Sequence, residues 1–253
     1  MITSPQNPKI KDLVLLETKS RERRARGLFV IEGRREYERA CAAGYETVTL
    51  FAREGEPEAP RADFTVSERV YEKIALREST EGVIAVMRSR TTGLDDLVLS
   101  EVPLILVLES VEKPGNLGAV LRSADAAGVD AVLVCDPLTD LYNPNLIRAS
   151  LGAVFSVQTA ACTSEAAFAW LSSRGITVLT AQLQDSELYY ETDMVRPTAL
   201  IFGTEDKGLT PFWRERADAH IRIPMAGAMD SLNVSVSAAI LAFEAVRQRN
   251  LKH

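Results

Sequence analysis

Three segments between Glu112 and Leu241 carry polar side chains just beyond short apolar runs. Leu200 to Leu209 reads LIFGTEDKGL, with the glycine Gly203 and then the carboxylate of Glu205. Ile221 to Leu241 reads IRIPMAGAMDSLNVSVSAAIL, with Ser231 and Asn233 ahead of the small residues Ser235, Ser237, Ala238 and Ala239. Glu112 to Val129 reads EKPGNLGAVLRSADAAGV, with Asn116 where a helix opens and Arg122 inside that helix. Strand ends feeding loops, and the helices that follow, are where α/β proteins hold ligands. Each residue also has an ordinary role. Arg122 alone reads as a surface charge or the partner of a buried acid, and Glu205 as a solvated loop carboxylate. Asn116, Ser231 and Asn233 read as helix caps. The same design met three times favours a shared site. In such a site Glu205 would orient a cationic or hydroxyl group, and the helix starts would position groups of a substrate.

Composition removes several alternatives. Only two histidines occur, His220 and His253, which argues against a histidine triad or a histidine-based metal site. Cys41, Cys135 and Cys162 are far apart and outside any C-x-x-C, so they read as reduced thiols of a cytoplasmic protein with no disulfide framework and no zinc site. The glycine-bearing segments lack G-x-G-x-x-G and G-x-x-x-x-G-K-[ST], which weakens dinucleotide and P-loop readings. No apolar run approaches a membrane span, and the polar, basic N-terminus has no apolar core of a secretory signal.

The elements that must position these groups follow from periodicity. A continuous apolar run at 103–108 and shorter segments at 131–134, 154–157, 176–180, 199–202 and 220–223 read as strands. They alternate with helices over 116–127, from Asn143, over 163–174 and 211–216, and from about Asp230 to Arg249. Such alternation implies right-handed crossovers and a mainly parallel sheet. Residues 94–101 read as a short connector. Ahead of it, helices over 9–18, 34–43 and 67–76 alternate with strands at 28–31, 47–51, 64–66 and 82–87, a smaller α/β unit without a catalytic constellation. The expected division is 1–92 and 93–253. The net charge of −6 conceals an asymmetry: residues 1–40 hold ten Lys or Arg against six acids. The cluster Arg21, Arg23, Arg24 and Arg26 is either a solvated face or a phosphate-contacting patch. No aromatic residue interleaves it, so base stacking there is not expected.

PGNLGAVLRSADAAGV, LIFGTEDKGL and IRIPMAGAMDSLNVSVSAAI, in this order, resemble the SpoU/TrmH family of RNA ribose 2′-O-methyltransferases over roughly residues 103–249. The N-terminal part is similar to that family's ribosomal-protein-like substrate-binding extension, a less specific match. Asp206 is a departure, standing where many relatives carry a small or neutral residue. The resemblance implies an α/β protein whose C-terminal domain has a SPOUT-type parallel sheet with a trefoil knot, behind a smaller RNA-binding domain. It implies S-adenosylmethionine held at Gly203, Ile223, Met225 and Leu232, near the strand end at Thr180, and it implies a homodimer. It assigns the chemistry to Arg122, with Asn116, Glu205, Ser231 and Asn233 at the other polar motif positions. It implies ribosomal RNA as substrate. The alternatives are transfer RNA, or a non-catalytic RNA-binding or ribosome-assembly protein on the same fold.

Overall fold

The computed structural model describes residues 1–76, 81–204 and 206–250, in two compact units. One comprises Met1–Arg90 and Asp140–Ser156, the other Thr91–Thr139 and the described residues from Val157 onward. In chain order the first part runs α1 (Pro8–Thr18), α2 (Ser20–Arg26), β1 (Leu28–Glu32), α3 (Arg34–Ala42), β2 (Thr47–Arg53), β3 (Phe64–Val66), α4 (Glu68–Ile74) and β4 (Val83–Arg88). There follow β5 (Leu104–Glu109), α5 (Pro114–Ala127), β6 (Ala131–Cys135), α6 (Pro144–Ala149) and α7 (Ala153–Ser156). The remainder is β7 (Thr159–Cys162), α8 (Ser164–Ser173), β8 (Thr177–Ala181), β9 (Glu187–Leu188), β10 (Thr198–Phe202), α9 (Pro211–Arg214), β11 (Ala219–Arg222) and α10 (Val234–Asn250).

In the first unit, β1, β4, β2 and β3 form a sheet in that order, with only the β2–β3 pair parallel. Asn7 starts α1 by accepting a hydrogen bond from Lys9 N at 2.9 Å, and Pro8 supplies a preset first-turn φ. Ile10, Leu13 and Leu16 recur at helical spacing and are buried with Val30, Phe51 and Ile84.

The second unit is a parallel sheet in the order β7-β6-β5-β10-β8-β11-β9. Every residue of β5, β6 and β10 is buried, as continuous apolar runs covered on both faces require. Strand order reverses between β5 and β10. At the other side, Ala181 and Glu187 pair with the same residue, Ile221, from opposite edges of β11. The five residues between them therefore cross one face of β11. α10 packs along α5 and over β5 and β10, and buries Ala238, Leu241, Ala242 and Ala245. Among the described residues no helix is long and apolar enough to cross a membrane.

Several boundaries differ from expectation. The run at 154–157 is not a strand. Residues 153–156 form the turn α7, and β7 begins at Thr159. A stretch of four residues is too short for its periodicity to tell one from the other. α5 starts at Pro114, two residues before Asn116, because proline suits the first helical position; Asn116 is therefore inside the helix rather than its cap. α10 starts at Val234 instead of near Asp230, leaving 223–233 as an extended connection. Only Leu94–Asp96 of the 94–101 connector is helical, and the two-residue β9 had no visible pattern.

Candidate active site

The C-terminal ends of β8, β10 and β11 open into one cavity of about 320 Å³, within the second unit. Leu183, Phe202, Ile221, Ile223, Met225 and Leu232 give it apolar walls, while Gln182, Thr204, Asp230 and Ser231 bring polar groups. Of the residues expected at a cofactor, Gly203, Ile223, Met225 and Leu232 line it. Thr180 does not. It is fully buried with its hydroxyl 2.6 Å from His220 Nδ1, and the next residue, Ala181, takes the place in the lining.

Gly203 is dictated by close approach. A Cβ there would lie 2.2–2.4 Å from the backbone of Gly208 and Leu209. The chain doubles back at this point: Thr204 N donates to Gly208 O and Gly208 N to Thr204 O, at 3.2 and 2.9 Å. Gly208 has φ +65°, a conformation glycine adopts without strain. The far end of the loop is tied by Glu109, a buried carboxylate at the end of β5. Thr210 donates its backbone N–H to Oε2 at 2.8 Å and its hydroxyl to Oε1 at 2.6 Å. Glu109 was not singled out from the sequence, although a carboxylate closing the apolar run LILVLE is a visible signal. Glu205 lies outside the described residues.

A second cavity, about 220 Å³, sits between the segments following β5 and β10, where strand order reverses. It is lined by Ser110 to Lys113, Asn116 and Leu138, and shares Gly203, Thr204, Asp206, Lys207 and Val234 with the first. Asn116 Oδ1 accepts from Asn233 Nδ2 at 3.2 Å. Asn233 Oδ1 in turn accepts from Ser235 N at 2.9 Å and Ser235 Oγ at 2.6 Å, which caps α10 and holds the amide pair together. Ser231 lines the first cavity and donates to Asp230 Oδ1 at 3.2 Å. Arg122 is exposed and lines neither cavity. It stands about 120° around the helix axis from Asn116.

In the first unit the basic cluster divides. Arg23 is 4 % exposed, paired with Asp140 at 2.7 Å and donating to the carbonyls of Leu16 and Glu17. Its guanidinium holds the unit together and offers nothing to a phosphate, a correction to its place in the expected patch. Arg26 is exposed but paired with Asp12 at 2.6 and 2.9 Å. Arg21 and Arg24 are exposed.

The comparisons agree with this geometry. The model of the SpoU rRNA Methylase family matches residues 103–243, and that of an MRM3-like substrate binding domain matches 7–85. A 23S rRNA (guanosine-2'-O-)-methyltransferase RlmB of Pseudomonas syringae is 42% identical over 180 residues, 68% of this chain and 72% of the relative. A crystal structure of an RNA 2'-O ribose methyltransferase superposes with TM-score 0.87 at 43% identity, over 98% of this chain and 99% of the other. An AdoMet-bound rRNA methyltransferase from Sinorhizobium meliloti gives TM-score 0.89 at 30% identity, over 97% of both. The cavity at the strand ends, the Asn116–Asn233 pair and these matches lead to one assignment: the chain belongs to the SpoU rRNA methylase family.

Proposed function

We propose that the protein transfers a methyl group from S-adenosylmethionine to a ribose 2′-hydroxyl of ribosomal RNA. The observation that carries this reading is the pair of adjoining cavities sharing the wall formed by Gly203, Thr204 and Lys207. The residues suit the cofactor. An adenine needs an apolar slot with a few hydrogen-bonding groups, and Leu183, Ile223, Met225 and Leu232 offer the slot. The backbone closeness at Gly203 leaves no room for a side chain on that wall. When bound, S-adenosylmethionine supplies a methyl group already activated by its sulfonium.

The chain's own task is then to place the hydroxyl in line and manage its proton. Asn116, held by Asn233, positions the ribose at the second cavity. Ser231 and Glu205 complete the polar set. Arg122 stabilises the developing alkoxide, since a guanidinium stays protonated and serves better as a charge donor than as a base. Because Arg122 is turned away from Asn116 on α5, the proposal includes a homodimer in which the partner's Arg122 reaches the site. Residues 1–92 bind the substrate RNA, with Arg21 and Arg24 on phosphates. The passage of residues 182–186 across β11 supports the knotted topology that the resemblance implied. Transfer of tritium from labelled cofactor to ribosomal RNA, with ribose-methylated nucleosides recovered after digestion, is the expected result. Incorporation confined to transfer RNA would move the substrate, and none at all would favour a non-catalytic RNA-binding protein.

A further inference from the structure

We propose that Cys135 and Cys162 are a peroxide-sensitive pair, whose reversible disulfide loosens the loop from Gly203 to Thr210 that walls both cavities. Both are free thiols in the structure, and neither takes part in the methyl transfer proposed above. Cys135 ends β6 and Cys162 ends β7, and the two are register partners on neighbouring parallel strands. Their sulfurs lie 3.9 Å apart. Neighbouring strands run about 4.7–4.9 Å apart, within the roughly 4.4–6.8 Å between Cα atoms that a disulfide spans. Cys135 is fully buried. Cys162 is half-buried on the edge strand of the sheet, so an oxidant meets it first. The contact with Cys135 holds the Cys162 thiol below its ordinary range, while that same contact and burial push the Cys135 thiol up. The reactive thiolate therefore forms at Cys162.

The Cys162 thiolate attacks one oxygen of a hydroperoxide. The S–O bond forms, the O–O bond breaks, and the departing oxygen leaves as water or an alcohol with the Cys162 proton. The Cys135 sulfur then attacks the Cys162 sulfur, the S–O bond breaks, and the second oxygen leaves as water with the Cys135 proton. Two electrons pass from the pair to the peroxide, and a dithiol reverses the bond by exchange. Closing it draws the sulfurs from 3.9 Å to about 2.05 Å. Two paths lead from there to the loop. Cys135 is also the register partner of Glu109, whose carboxylate holds both donors of Thr210. Just beyond Cys135, Asp136 accepts from Ser164 Oγ at 2.7 Å, and that hydroxyl accepts from Trp213 Nε1 at 3.1 Å, in the helical turn that follows Thr210. Both paths arrive at the far end of the loop.

The test uses the full chain carrying Cys41→Ser, which removes the exposed third thiol. After hydrogen peroxide and then trypsin, peptides 123–148 and 149–174 are expected as a linked pair that dithiothreitol separates. Hydrogen exchange at the amides of Thr204 and Gly208, read by NMR, should quicken in the oxidised chain. Affinity for S-adenosylhomocysteine by calorimetry should fall by about 5-fold or more. Dithiothreitol should restore both. With Cys162→Ala added, peroxide should change neither. Absence of the linked peptides under excess peroxide overturns the pair. Linked peptides with unchanged exchange overturn the coupling to the loop, as does a peroxide effect that persists in Cys162→Ala. Only the affinity measurement rests on the methyltransferase reading. A reduced chain that binds no S-adenosylhomocysteine overturns that reading alone, because linkage and exchange are measured without the cofactor.

Discussion

Arg122 carries the proposed chemistry from an exposed place on α5, and its replacement tests the mechanism most directly. Arg122→Ala should lower the single-turnover methylation rate by about 10²–10³, the usual cost of one preorganised charged donor. Cofactor affinity should stay near wild type. Arg122→Lys keeps the charge but not the planar fork, so it should rescue little. A near-normal rate in Arg122→Ala would shift the assignment to Ser231, Asn233 or Glu205. Glu17, in the first unit, makes a different kind of residue-level claim. Its Oε1 is buried without a hydrogen-bond partner among the described residues. Burial first, and the charge of Glu32 second, push its carboxyl from an ordinary 4.5 up to about 8. The folded chain therefore holds this proton through a range where the unfolded chain has released it. Stability should fall as pH rises from about 4.5 to about 8, and level off above. Glu17→Gln, neutral at every pH, should be more stable than wild type at pH 8 by roughly 1–3 kcal/mol and nearly equal to it at pH 4. Equal denaturant midpoints at both pH values would contradict this.

At the scale of elements, one loop walls both cavities, and one carboxylate anchors it. The loop from Gly203 to Thr210 is closed at its near end by the Thr204–Gly208 backbone pair and at its far end by Glu109. Glu109→Ala leaves the Thr210 donors unpaired beside a small cavity, at a cost of about 1–3 kcal/mol. The effect on function should exceed that on folding: cofactor affinity and RNA KM should both worsen, because the loop borders both ligands. Glu109→Gln keeps one acceptor and should recover most of the loss. Weakened thermal stability with unaltered affinities would make Glu109 purely structural. The sequence foretold most of these elements because long apolar runs bounded by glycine and proline are unambiguous, as at 104–109 and 198–202. It also put Gly203, Ile223, Met225 and Leu232 in one group, since the motifs carry them in order. Glu109 escaped because its meaning depends on Thr210, which sits 101 residues away. The amide pair of Asn116 and Asn233, 117 residues apart, is of the same kind. Arg23 misled for the converse reason: a run of arginines looks uniform until one of them finds Asp140.

For the whole molecule, the proposal gives RNA binding to the N-terminal part and catalysis to the second unit, so the two should be separable. If Arg21 and Arg24 touch phosphates, the double alanine variant should bind RNA more weakly, and the slope of log affinity against log salt should flatten by about 1–2. Cofactor affinity should not move. Arg23→Ala should instead destabilise the fold, by roughly 3–5 kcal/mol, because it strands the buried Asp140 carboxylate. Dimerisation is the larger claim. Of the small residues of α10, Ala238 and Ala242 are already buried within the chain. What α10 leaves outward is Val236, 45 % exposed, and Phe243, 47 % exposed, seven residues apart and so on one face. A second copy laid on that face would cover apolar surface and give Arg122 a site outside its own chain. Light scattering at micromolar concentration should return twice the chain mass of 27.8 kDa. Val236→Glu with Phe243→Glu should return the monomer, with methylation lost and the fold retained by circular dichroism. The decisive form is a mixture. Arg122→Ala and Asn116→Ala are each expected to be inactive alone. Mixed dimers should regain activity if the partner's Arg122 serves the site that Asn116 lines, because one of the two sites then has both groups intact. A monomeric mass for the wild type, or no recovery in the mixture, would return Arg122 to the surface charge that its exposure alone suggests.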